Sequence, residues 1–187
     1  MIAQILKESF DQYLELPINT WIEFSKDCDI ITFEKEEIIK KEDATEKCFY
    51  FILKGSAGIF LWKKNNFVCI DIAFENNFFC DYMSLITNQP SPLQTMSIEK
   101  SEMLRMSNKI FYKISQKLAT QKILRIAAEV SFIDKQQQQI DLLTKTAHER
   151  YLELFKKSPK IFQQIPQKYI ASYLGITPQS LSRLRKM

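Results

Sequence analysis

The sequence predicts an α+β protein in three parts. Helices lead into an antiparallel β domain over residues 1–107, a long helix follows over 108–143, and a helix-turn-helix occupies 144–187. Three observations carry this prediction. The apolar period shifts from about 3.6 residues to about 2 and back again along the chain. Short apolar runs in the middle are separated by charged or Asn-rich turns. The stretch from Pro166 onward lays out two short helices around a glycine.

Taken in order, Ile2, Ile5, Leu6, Phe10, Tyr13 and Leu14 fall at helical spacing. Pro17 breaks this helix, and Asn19-Thr20 is expected to cap a second short one through Trp21 and Phe24. From Cys28 to Ser107 the runs Ile30–Phe33, Glu37–Ile39, Cys48–Leu53, Ala57–Trp62, Phe67–Phe74, Gln94–Ile98 and Glu102–Met106 read as short strands of an antiparallel barrel or sandwich. Lys54-Gly55-Ser56 and Lys64-Asn65-Asn66 are the clearest hairpin turns.

Helical spacing then returns. Ile123, Ile126, Val130, Ile133 and Ile140 keep a 3-4 rhythm with Gln137 in the gap, and Leu118, Leu124, Ala127, Ala128 and Phe132 form a second stripe. One face can pack on the β domain and the other on the same helix of a second subunit. The alternative is that both stripes serve one core. A single helix beside a small barrel rarely needs two apolar stripes, which favours the dimer. The Gln136–Gln139 run is a polar patch without assigned chemistry. Thr146-Ala147-His148-Glu149 is a capping box that starts an amphipathic helix with Tyr151, Leu152, Leu154 and Phe155, ending near Ser158-Pro159. Residues 141–146 are therefore the expected hinge.

The C-terminal stretch is the most specific. Pro166 precedes a helix whose apolar positions are Ile170, Ala171 and Leu174. Gly175 suits the left-handed exit, Thr177 is a good N-cap, and Pro178 a good first helical residue. The second helix buries Leu181 and Leu184 and leaves a polar, basic outer face, as a helix lying in a DNA major groove requires. An ordinary helical hairpin packed on a core is the competing reading. Residues 144–187 hold nine Lys/Arg against two Asp/Glu, a net +7, while residues 1–143 hold seventeen against twenty, a net −3. A positive field localised on the motif favours a polyanionic partner.

Composition excludes several classes. At 45% hydrophobic and 26% charged residues the chain reads as soluble and globular. No apolar run approaches a membrane span and the N-terminus lacks a signal-peptide pattern, so a cytoplasmic protein with reduced cysteines and no membrane partner is expected. A metal-dependent β-barrel enzyme needs several histidines, and His148 is the only one, so no metal site is expected. Cys28, Cys48, Cys69 and Cys80 are too dispersed for an iron–sulfur cluster and read as buried small hydrophobes. Three glycines give no phosphate loop, and Glu36-Glu37 and Glu42-Asp43 read as solvated turns. No catalytic residues are assigned and an enzyme is not expected.

The order of barrel, long helix and helix-turn-helix resembles the Crp/Fnr family of dimeric bacterial transcription regulators across nearly the whole chain. Cys48-Phe49-Tyr50-Phe51-Ile52-Leu53-Lys54-Gly55-Ser56-Ala57-Gly58 looks like that family's strand-KGS-strand hairpin in its cyclic-nucleotide-type β-roll, a jelly-roll or double-stranded β-helix. Tyr169–Pro178 with Leu181–Lys186 looks like a version common in Bacteroidetes members. The resemblance implies dimerisation through the long helix, and double-stranded DNA and RNA polymerase as partners, with room for an unidentified small effector. Members that bind cyclic AMP carry a Gly-Glu pair that holds the ribose and an Arg-Ser pair that neutralises the phosphate. Here these positions fall on Cys80-Asp81 and Ser91-Pro92, and no Lys or Arg lies between Lys64 and Lys100. Lys122 or Arg125 of the long helix could reach in, a weaker arrangement. Cyclic AMP in the usual mode is therefore not expected, which leaves the pocket another ligand or none; no cofactor is assigned. In the second helix the family's first basic contact falls on Pro178, Gln179 replaces a glutamate, and Arg183 occupies the family's arginine position. Gln179, Ser180 and Arg183 are the candidates for base edges, and Thr177, Ser182, Arg185, Lys186 and Lys168 for phosphates. The chain ends three residues past Leu184, so no wing is expected beyond it. The leading expectation is a homodimeric DNA-binding regulator. The alternative, favoured by Pro178, is a ligand-sensing or protein-interaction module that no longer reads DNA.

Overall fold

The computed structural model describes residues 1–63, 66–157 and 161–186. Two four-stranded antiparallel sheets form its centre. The first has the order β1 (Asp29–Phe33), β8 (Ser101–Ser107), β3 (Cys48–Lys54), β6 (Phe78–Phe79), and the second β2 (Ile38–Lys40), β7 (Leu93–Ser97), β4 (Ser56–Lys63), β5 (Asn66–Phe74). Between them lies a core of Phe33, Tyr50, Ile52, Ala57, Ala73, Phe79 and Met103. Side chains alternate across a strand, so Tyr50 and Ile52 point into this core while Phe49 and Phe51 point out.

The outward residues explain why these strands are apolar on both faces. On the first sheet, Phe49, Phe51, Leu104 and Met106 are covered by α1 (Ile2–Phe10), α2 (Ile18–Ser25), α4 (Asn108–Ile114) and the start of α5 (Leu118–Thr144), through Leu6, Phe10, Trp21, Phe24, Phe111 and Ile123. On the second, Phe60, Cys69, Ile72, Met96 and Ile98 join a cluster with α7 (Ile161–Gln164) and α8 (Gln167–Tyr173). A sheet buried on both faces reads as a near-continuous apolar run rather than an alternation. Ala57–Trp62 is such a run.

Several expectations change. Lys54-Gly55-Ser56 is no hairpin: β3 pairs with β8 and β6, β4 pairs with β5 and β7, and the chain crosses from one sheet to the other at Gly55. The crossing needs glycine. Gly55 has φ +92, and a Cβ there would sit 2.5 Å from Ser101 Oγ and 2.7 Å from the Lys100 carbonyl oxygen. The β4–β5 pair does run antiparallel out to Lys63 and Asn66, while Lys64 and Asn65 of the expected turn lie outside the described residues. Asn19 and Thr20 sit inside α2, whose N-cap is Pro17, so neither caps it. Three elements lie outside the sequence expectation: β6, α3 (Tyr82–Thr87) with Asp81 as its N-cap, and α7. The single helix expected from residue 108 is two, separated at residues 115–117.

The capping box is present. Thr146 N–H donates to Glu149 Oε2 at 2.8 Å, and Glu149 N–H to Thr146 Oγ1 at 3.3 Å. It opens α6 (Ala147–Lys157); Ser158-Pro159, its expected end, lie outside the described residues. On α5 the two expected stripes divide differently from the sequence reading. Ile123 is buried on the first sheet with Leu124, Ile126 and Ala127 partly covered beside it, whereas Leu118, Phe132, Ile133, Ile140 and Leu143 are exposed. Among the described residues no helix is long and apolar enough to cross a membrane.

Candidate functional site

The C-terminal helices are set by local chemistry. Pro166 is the N-cap of α8, with φ −55 and ψ 136. Gly175 makes the turn at φ +69, and Ile176 N–H donates back to the Ala171 carbonyl at 2.9 Å. Thr177 caps α9 (Pro178–Leu184) by accepting the Ser180 N–H at 3.1 Å, with Pro178 in the first turn. Leu181, Ile170, Ala171 and Leu174 lie in one buried cluster, so the two helices cross at close range. Arg150 of α6 fixes the turn from behind: its guanidinium donates to the Leu174 carbonyl at 2.9 and 3.2 Å and to the Lys145 carbonyl at 2.5 Å. The expected hinge is thereby tied to the turn, a role the sequence reading did not give Arg150.

The outer face of α9 is open. Gln179 and Arg183, four residues apart and therefore on one helix face, are exposed, as are Thr177, Ser182, Arg185 and Lys186. Ser180 is half-buried and its hydroxyl lies 3.0 Å from the Thr177 hydroxyl, within the cap. Lys168, at the start of α8, stands apart from this set. Its ammonium donates to Glu36 Oε1 at 3.0 Å, and the same oxygen accepts the Tyr169 hydroxyl at 3.0 Å. Glu36 is thus engaged rather than free in a solvated turn. Lys168 and Tyr169 hold its carboxyl below the usual carboxylate range. The paired Glu36 carboxylate in turn raises the pKa of Lys168.

The effector positions assemble differently from the sequence reading. Cys80, Asp81 and Ser91 are buried together, and Pro92 is exposed. Lys122 and Arg125 lie exposed on α5, and Arg125 pairs with Glu129 at 3.6 Å. The cation comes from Lys40 on β2. Its ammonium lies 3.1 Å from Asp81 Oδ2, with side-chain exposures of 3% and 0%, and donates to Ser91 Oγ at 3.3 Å and to the Leu93 carbonyl at 2.5 Å. The Ser91 hydroxyl donates to the same Asp81 carboxylate. Asp81 Oδ1 accepts the Ser84 N–H at 3.1 Å. Glu46, also buried, accepts N–H bonds from Lys47, Cys48 and Asp81, and burial raises its carboxyl pKa. The charges of this region are therefore paired and hydrogen-bonded among themselves, as buried charges must be.

The four cysteines are thiols at separate places: Cys69 and Cys80 are buried, while Cys28 and Cys48 are only half-buried, with desolvation pushing Cys28 up to about 12. No group of three candidate metal ligands comes together among the described residues.

An antiparallel β-roll followed by a long helix and a helix-turn-helix defines the class: the chain has the fold of the Crp/Fnr regulators. Residues 30–117 match the family model of the cyclic nucleotide-binding domain. Solved structures agree over most of the chain. A CooA mutant from Carboxydothermus hydrogenoformans superimposes with TM-score 0.68 at 14% identity, spanning 97% of this chain and 82% of that one. The c-di-GMP responsive global regulator CLP of Xanthomonas campestris gives 0.70 at 13% identity, over 91% of this chain and 90% of that one. FixK2 from Bradyrhizobium japonicum gives 0.68 at 18% identity, over 85% and 83%. No curated protein matches the sequence.

Proposed function

We propose that the chain is a homodimeric, sequence-specific DNA-binding transcription regulator, not an enzyme, whose roll lacks the usual cyclic AMP contacts. The observation that carries the reading is the exposed face of α9. Gln179 and Arg183 project from a capped helix at the end of a regulator fold, and Arg185 and Lys186 continue its charge. Gln179 and Arg183 suit adenine and guanine edges in a major groove. Thr177, Ser182, Arg185 and Lys186 suit phosphates, and Ser180 is the third base candidate once its hydroxyl turns from the cap. The exposed stripe on α5 supplies the second copy, and two α9 helices would then enter successive major grooves at an inverted repeat. The regulator CLP, similar in fold, is described as responsive to c-di-GMP, which supports a sensing origin for the roll here.

Selection from random duplex DNA tests the reading. An enriched palindrome should bind about a thousandfold tighter than scrambled DNA at physiological salt. Arg183→Ala should then lose about 1–3 kcal/mol, confined to one base position of each half-site. Equal, salt-sensitive binding to both duplexes would leave only a basic surface. In that case the alternative, an interaction module with Pro178 in place of a basic contact, becomes the better reading.

The second half of the proposal rests on Asp81, Ser91 and Lys40. A nucleotide phosphate entering here would have to separate Lys40 from a fully buried carboxylate. A ligand that binds only the folded state raises stability by RT ln(1 + [L]/Kd). Millimolar cyclic AMP should leave the thermal midpoint where it is; a rise of several degrees would restore the nucleotide site.

A further inference from the structure

We propose that one end of α8 is an interaction surface with two competing partners, the Glu36 carboxylate of the roll and a DNA phosphate, so that the docked arrangement holds the reader shut. This rests on the DNA-binding reading above and adds its regulation.

The roll grips α8 on its outer sheet face. The Tyr169 ring packs 5.1 Å from Phe60 and 5.3 Å from Phe67, centroid to centroid. The Ser172 hydroxyl accepts the Cys69 N–H of β5 at 2.8 Å. From the other side, Lys135 of α5 pairs with Asp71 of β5 at 2.7 Å. The helix-turn-helix is therefore placed by its own roll, whereas two readers on DNA must stand at a spacing set by the duplex.

Glu36 is the element that bears on DNA directly. It sits between β1 and β2 at φ +60, a backbone conformation uncommon for a residue with a side chain. Its N–H donates to the Ser97 carbonyl at 3.0 Å, which fixes that turn on β7. The side chain then presents one carboxylate oxygen to a lysine ammonium and a tyrosine hydroxyl at 3.0 Å each. An anionic oxygen taking one cationic and one neutral donor is the pattern of a phosphate contact. In a helix-turn-helix the first helix crosses the backbone, and Lys168 is the cation at its start. While it holds Glu36 its charge is already neutralised, and a phosphate brought there would meet the Glu36 carboxylate.

The grip is built to release. Lys168 and Glu36 are half-exposed, at 50% and 45%, so their attraction is weak and screened by salt. The seam beside them opens to solvent: a surface cleft of about 290 Å³ is lined by Glu36, Ile38, Trp62, Gln94, Lys168 and Tyr169.

The test compares the full chain with its Glu36→Gln, Lys168→Gln and doubly substituted forms on the selected duplex, or on a random-sequence duplex, over a range of salt. Glu36→Gln should bind about three- to fivefold tighter, the scale of an exposed ion pair. Its salt dependence should steepen by about one phosphate contact. In the Lys168→Gln background the Glu36 change should have a smaller effect, since the shared cation is gone and only the Tyr169 hydroxyl bond and the Glu36 charge remain to be removed. Tyr169→Phe, which removes only the hydroxyl, should shift binding in the same direction, and the Cys69 amide should exchange hydrogen faster in Glu36→Gln than in the parent. If Arg183→Ala still weakens binding while Glu36→Gln binds no tighter than the parent, this inference is wrong and the DNA reading stands. If neither the folded parent nor the folded Glu36→Gln form binds any duplex, both fall together.

Discussion

Lys40→Met is expected to lower the unfolding free energy by about 3–5 kcal/mol, the usual result of removing one member of a buried ion pair. The side chains of Lys40 and Asp81 are 3% and 0% exposed and lie 3.1 Å apart. Methionine fills much of the lysine stem but leaves the Asp81 carboxylate with only the Ser84 N–H and the Ser91 hydroxyl. A domain is stable by about 5–15 kcal/mol in all, so the loss should be plain as a lower urea midpoint at unchanged m. Adding Asp81→Asn to Lys40→Met should recover most of it, because the amide carries no charge and still accepts the Ser84 N–H. The recovery separates an electrostatic cause from a packing one. A loss below about 1 kcal/mol for Lys40→Met, the scale of an exposed pair, would place the ammonium in solvent and remove the argument that the buried charges of this region satisfy one another.

The position of Lys40 also marks where sequence reading stops. Read from residue order, the window between Lys64 and Lys100 has no cation. The cation arrives from β2, which pairs with β7 through Ile38 and Met96 and through Lys40 and Thr95, a register no local signal announces. Glu36 and Lys168 are 132 residues apart and meet for the same reason. Features that depend on neighbours a few residues away were legible: the Thr146–Glu149 box, the Thr177-Pro178 start, and the left-handed Gly175. Strands were legible as strands, because β-branched and aromatic runs stand out, but not as partners. Lys54-Gly55-Ser56 has the composition of a hairpin turn and serves as a crossing between sheets. The six residues of α3 are too few to show a period. Only the Asp81 cap with Ser84 three residues on could have announced that helix. For α9, the helix and its exposed face were both readable, whereas the docking of α8 was not, since it requires knowing that the outer face of the second sheet is apolar and left open for the C-terminal helices to cover.

Ile133→Glu combined with Ile140→Glu is expected to convert a dimer into monomers. After α5 leaves the roll, Phe132, Ile133, Ile140 and Leu143 are 64%, 65%, 50% and 80% exposed. Exposed apolar residues gathered on one helix mark an association surface. Ile133 and Ile140 repeat at seven residues in a 3-4 rhythm with Val130 and Gln137, the pattern of a two-stranded seam. Gln137 donates to Asp141 at 2.7 Å within its own helix, and a single polar residue at such a position serves to set register. In a symmetric pair each substitution acts twice, so four isoleucine side chains lose their burial. At about 1.5–3 kcal/mol for each, the dissociation constant should rise by about four orders of magnitude or more. Sedimentation equilibrium reads this directly, and circular dichroism should show the roll intact, since Ile123 and its neighbours keep the start of α5 in place. The same variant should bind a half-site weakly and lose preference for the palindrome, because spacing is a property of the pair. A parent chain that is monomeric at tens of micromolar, or a double variant that stays dimeric, would remove α5 as the seam and with it the geometry by which two α9 helices reach one operator.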